Sequence, residues 1–211
     1  MKMLPRGFIL TTLILASGLS AALPKDQAPD KYQTLVARLK QGDTTVDFLE
    51  LRRAYADSTE YTDGSDPDES KAMISAFNKG DFNQAIEHAK KVLEQYYLDI
   101  EAHQIAFLAY RELHIQEEAE FHHRIAHDLI QAIFQTGDGK SRESAWEVLS
   151  THEEYVILHV LGLMPGTQSL IRAGKHSFDE LQANDPKTGQ KVTLYFNIDK
   201  PMAYLQKILS K

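Results

Sequence analysis

Glu120, His123 and His127 recur at spacings of three and four, which on a helix puts one carboxylate and two imidazoles on a single face. Such a set could hold a divalent metal with open coordination positions. The competing reading makes His123 and His103 inward-facing repeat positions whose ring nitrogens are hydrogen-bonded; short motifs match by accident often enough that this one is preferred. No metal or other cofactor is therefore expected. Asp63, Asp66, Asp68 and Glu69 form an acidic loop, but not at the spacing of a calcium-binding hand, and Asp66 and Glu69 read as helix caps. Gly137-Asp138-Gly139 reads as a turn, because no Lys-Ser/Thr pair follows in the Walker arrangement. Glu153-Glu154 and Asp179-Glu180 are carboxylate pairs, yet neighbours on a strand face opposite sides and cannot act together as acid and base. No serine sits in a recognisable nucleophile elbow, and the chain has no cysteine. Catalysis is not the expectation.

The elements that must position these residues come first as helices. Ala76, Gly80-Asp81, Ala85 and Ala89 are followed by Tyr110, Ala119 and His123 at a period of about 34 residues, the tetratricopeptide length. The match to that consensus is partial. Tyr32, Leu35, Val36 and Leu39 predict a first helix stopped by Gly42. Thr44 with Asp47 predicts a capping pair ahead of Phe48, Leu51, Ala54 and Tyr55. Asp66-Pro67-Asp68-Glu69 opens a third helix, with Glu69 reaching back to the cap, and Asp81 with Gln84 opens a fourth. Ile105, Ala106, Ala109 and Leu113 mark a fifth, and Gln116 to about Phe134 a sixth. Ser141 is expected to cap a short helix that buries Ala145, Trp146, Val148 and Leu149.

After Ser150 the period changes from helical to two-residue. Strands are predicted over Tyr155–Leu161, Gln168–Arg172, Ser177–Ala183 and Lys191–Ile198, with Asp185-Pro186-Lys187-Thr188-Gly189 as a hairpin loop. Asp199 then caps a closing helix tied down by Met202, Leu205, Ile208 and Leu209. The expectation is an α+β chain. It has tetratricopeptide-like helical hairpins over 23–150, then a small antiparallel β meander with a C-terminal helix over 151–211.

Residues 1–22 read as a secretory signal cut after Ala22: Lys2 and Arg6, an apolar core from Gly7 to Leu19, then Ser20-Ala21-Ala22. That core, interrupted by Thr11, Thr12 and Ser17, is shorter than the roughly 20 residues a membrane span needs. Cleavage predicts a periplasmic or secreted protein with no membrane attachment. The formal net charge is −7, and losing Lys2 and Arg6 makes the mature chain more acidic still. Phosphate backbones repel such a chain, so nucleic acid is not an expected partner. With no cysteine in an oxidising compartment, stability must come from a buried core.

The signal, the Lys-Gln-Gly-Asp hairpin, the Thr136-Gly137-Asp138-Gly139 turn with Glu153-Glu154-Tyr155 after it, and Asp185 to Gly189 with Tyr195-Phe196-Asn197-Ile198-Asp199 together resemble one family. It is the exported bacterial family catalogued as domain of unknown function 4919. The resemblance spans nearly all of the mature chain; it implies an exported single unit and supplies no catalytic residue. The leading functional expectation is a non-enzymatic peptide- or protein-binding module, with His103, Tyr110 and Arg111 contributing to a concave face of the hairpins. The alternatives are a metal-dependent protein using Glu120, His123 and His127, or an acidic inhibitor of a toxin or hydrolase.

Overall fold

The computed structural model describes residues 30–64 and 66–210, so the stretch expected to be a secretory signal and its expected cleavage site lie outside the described residues. Six helices come first: α1 (Lys31–Lys40), α2 (Phe48–Asp57), α3 (Pro67–Asn78), α4 (Phe82–Gln95), α5 (Ile100–Glu112) and α6 (Gln116–Phe134). Their starts follow side-chain chemistry. Asp47, rather than a Thr44–Asp47 pair, caps α2 by accepting from the Leu49 and Glu50 amides at 2.8 and 3.1 Å. Asp66 caps α3 through Asp68 N, Asp81 caps α4 through Gln84 N, and Asp99 caps α5 through Ala102 N. Glu69 does not reach back to its cap; its carboxylate binds His88 Nδ1 at 2.6 Å and Lys91 Nζ at 3.3 Å, tying α3 to α4. Alanines line the faces where the helices meet. Ala85, Ala89, Ala102, Ala106, Ala109, Ala119 and Ala126 are all buried, and small side chains there let the backbones approach.

Residues 136–145 form a turn where a capped helix was expected. Asp138 N and Gly139 N both donate to Ser144 O, and Trp146 Nε1 donates to Gly137 O at 2.9 Å. A Cβ at Gly137 would lie 2.1 Å from Ser144 O, so the two glycines of the turn serve its closure. The turn delivers β1 (Trp146–Glu147), which runs parallel to the last strand.

The apolar run expected as the first strand is a helix, α7 (Thr151–Val160). Ser150 accepts from Glu153 N at its start, Glu153 and Glu154 occupy the first turn where carboxylates are favoured, and Val156, Ile157 and Leu158 are buried. Burial against neighbours outweighs the strand preference of its β-branched residues. Then β2 (Met164–Ala173), β3 (His176–Asn184) and β4 (Lys191–Asn197) make the expected antiparallel meander, with Leu181 opposite Leu194. The sheet order is β1-β4-β3-β2, so β1 adds a parallel edge and the sheet is mixed. The closing helix, α8 (Asp199–Leu209), departs from expectation twice. Asp199 is its first residue rather than its cap, and Leu205, Ile208 and Leu209 are exposed, leaving Pro201 as its buried residue. One hydrophobic cluster runs from Tyr32 of α1 through the helical pairs to Phe196 and Ile198, so the fold is α+β about a shared core.

Candidate binding cleft

The residues singled out from sequence lie on α5 and α6, and most do not form a recognition surface. His103 is fully buried. Its Nε2–H donates to Tyr97 O at 2.9 Å, which leaves Nδ1 to accept from His122 Nδ1 at 2.8 Å. Burial, helped by the neighbouring ring, pushes His103 down to about 3, and burial pushes His122 down to about 4, so both imidazoles are neutral across the usual pH range. Tyr110 is half-buried and stacks on His122 with ring centres 5.6 Å apart. Arg111 is exposed, its guanidinium over the Phe107 ring. His123, expected to face inward, is exposed and stacked on Phe107, and His122 instead lies against His103 and Tyr110; the rest of the expected stripe, Ala119, Ile125, Ala126, Leu129, Ile130 and Ile133, is buried. Glu120 accepts from Gln116 and His127 pairs with Asp128. Among the described residues no group of three or more His, Asp or Glu is placed to hold a metal ion.

A concave site forms elsewhere, where α2 faces the parallel strand pair. A buried ion pair fixes its wall: Arg52 of α2 donates Nη1 to Glu153 Oε1 at 2.5 Å and Nη2 to Glu153 Oε2 at 2.9 Å. Arg52 Nη2 also reaches Glu147 O, and Glu153 Oε2 accepts from Leu149 N. Both side chains are 3% exposed, so α2, β1 and α7 are locked together by a bidentate pair. Beside it lies a cleft of about 430 Å³ that includes Leu49, Arg53, Glu147, His176, Asn197 and Lys200 in its walls. A second hollow of about 520 Å³, bordered by Arg142, Glu143 and Phe178, shares Thr136, Glu147, His176 and Asn197 with it, so the two make one trough. It sits at the carboxyl ends of β1 and β4, the end of a parallel strand pair where α/β proteins commonly bind ligands.

The charges of the trough divide into used and unused. Lys200 Nζ is 2.7 Å from Asp57, and His176 Nδ1 is 2.6 Å from Asp199. Burial alone would raise the Asp199 carboxyl, but the hydrogen bonds from His176 and Ser177 N outweigh it and hold it below the usual range. Arg53 and Glu147, both exposed, form no ion pair among the described residues. Thr136 brings a hydroxyl to the trough, and that group is committed: it donates to Ile133 O at 2.7 Å and accepts from Glu147 N at 2.9 Å. His176 thus faces no free hydroxyl nucleophile in the walls.

Glu154 and Asp179 form a second unusual group. The expectation placed Glu153 and Glu154 on a strand, facing apart; on α7 both are buried, Glu153 toward Arg52 and Glu154 toward Asp179 of β3. Gln168 of β2 donates Nε2 to Glu154 Oε2 at 3.1 Å and to Asp179 Oδ2 at 2.7 Å, and accepts from Tyr155 OH. Burial, the facing Asp179 charge and the hydrogen bond to it push Glu154 up to about 9, so Glu154 keeps its proton at neutral pH. Neither Glu154 nor Asp179 lines the trough. None of Arg53, Glu147 or His176 carried a sequence signal, and Asp179 stood out only as half of Asp179-Glu180, because their neighbours in space are remote in the chain.

Comparison with curated proteins and with solved structures returned no match. Comparison with protein families did: residues 22–207 match the family described as Domain of unknown function (DUF4919), and the chain, whose turn at 136–139, hairpin at 185–189 and closing β4–α8 junction all fall within that span, belongs to it.

Proposed function

We propose that the protein is an exported, non-enzymatic binding module that holds a peptide segment of a partner protein in the trough between α2, β1 and the start of α8. In this reading the paired helices α3 to α6 are tetratricopeptide-like hairpins that serve as the rigid support, and the ligand lies where the helical layer meets the sheet. The observation that carries it is the set of unused charges: Arg53 and Glu147, with Arg142 and Glu143 at the second hollow, line the trough with no ion-pair partner among the described residues, while Arg52, Lys200 and His176 are each paired with a carboxylate. Opposite charges set around an elongated hollow, with the Asn197 amide between strand and helix, suit a segment that carries both donors and acceptors.

Panning a random decapeptide library on residues 23–211 tests the proposal. Enriched peptides should bind the parent and lose at least tenfold in affinity to Arg53→Glu and to Glu147→Lys, about 1.4 kcal/mol each. Both side chains are exposed, so thermal stability should move little. Failure to enrich any peptide, or enrichment indifferent to both reversals, would contradict it.

A further inference from the structure

The strand β2 runs ten residues along the outer edge of the sheet, and all of its residues except Ile171 and Ala173 are exposed. An edge strand offers a row of backbone N–H and C=O groups that another extended segment can pair with, and proteins usually blunt such edges with charge, Pro or a bulge. In β2 the Pro and the register shift lie at the start, between Pro165 and Gln168. From Gln168 to Ala173 the pairing with β3 is regular, and Arg172 is the one charged residue. Exposed apolar side chains adjoin this stretch: Leu170 on the strand (52% exposed), and Tyr155 on α7 (46%), whose hydroxyl reaches Gln168.

We propose that two copies of this chain pair antiparallel through β2, with Leu170 opposite its own counterpart, to make one sheet of eight strands. A two-fold axis normal to the sheet gives antiparallel strands and keeps both helical layers on one side. In that register Gln168 opposes Arg172 of the second copy. Gln168 lies over the buried carboxyl groups of Glu154 and Asp179, donating to both, so the incoming guanidinium approaches a cluster of acceptor oxygens. The two Arg172 side chains stand four residues apart, about 13 Å, whereas a parallel arrangement would set them side by side. The Leu170 pair at the axis removes two half-exposed apolar groups from water, and no carboxylate of β2 opposes its own copy.

The chain has no cysteine, so a single introduced thiol reports the axis directly. Residues 23–211 should sediment as a dimer, and Leu170→Lys, which sets like charges at the axis, should sediment as a monomer with unchanged far-ultraviolet circular dichroism. Leu170→Cys should form a disulfide-linked dimer under mild oxidation, while Leu209→Cys, exposed on α8, should not. A monomeric parent, a dimer unaffected by Leu170→Lys, or equal cross-linking of the two thiols would overturn the proposal. So would a monomer whose β2 instead takes up an enriched library peptide, because the occupant would then be another chain.

Discussion

Arg52 and Glu153 show how much of the site depends on residues that no ligand touches. Each is 3% exposed and each is satisfied mainly by the other. Replacing one alone strands a buried charge: Arg52→Met should cost about 3–5 kcal/mol in urea unfolding, and Arg52→Met with Glu153→Leu should recover much of it. Glu154 behaves oppositely. Its folded-state carboxyl titrates at about 9, above the ordinary 4.5, so the folded chain keeps a proton that the unfolded chain releases between those values. Its stabilising contribution is complete below about pH 4.5 and declines as pH rises toward 9. Glu154→Gln keeps an N–H for Asp179 and cannot ionise, so the variant should be more stable than the parent at pH 8 and should lose this slope. Equal midpoints at pH 5 and pH 8 for parent and variant would show that Glu154 is ionised in the fold.

The helical pairs depend on alanine at the crossings between elements. Ala119 is 1% exposed on α6, and Ala119→Leu should cost on the order of 1–3 kcal/mol through overpacking, measured as a lowered urea midpoint. Elements with punctuation at both ends were legible in the sequence: Asp66-Pro67 and Asp81 at helix starts, Gly42 and Gly80 at helix ends, and the alternation of Val192, Leu194 and Phe196 in β4. What failed was the reading of short apolar runs. Tyr155 to Leu161 has the composition of a strand, and only the Ser150 cap and the Gly162 turn, at φ +68°, mark it as helical. Likewise Ser141 resembles a cap, yet the chain there is held by Gly137 against Ser144 O, a tertiary contact without a periodic signature. Asp199 reads as a cap because it precedes Pro201, and its carboxylate is drawn instead to His176 and Ser177 across the sheet.

For the molecule as a whole, the trough could not be read in advance, because Arg53, Thr136, Glu147, His176 and Lys200 come from five separate segments. The buried histidines give the molecule an acid limb. His103 and His122 stay neutral in the fold while the unfolded chain takes up protons below the ordinary value of 6.5, so stability is full above that pH and falls as pH drops toward about 4. The slope should approach about 1.4 kcal/mol per pH unit for each ring, and His103→Phe with His122→Phe should flatten the pH dependence of thermal midpoints in that window. Among the described residues no helix is long and apolar enough to cross a membrane. The most direct test of the binding account is amide nuclear magnetic resonance of labelled residues 23–211 titrated with the best library peptide. Shifts should cluster at Leu49, Arg53, Glu147, His176, Asn197 and Lys200, the walls of the trough. Shifts confined to α5 and α6 around Tyr110 and Arg111, or none at all, would contradict it.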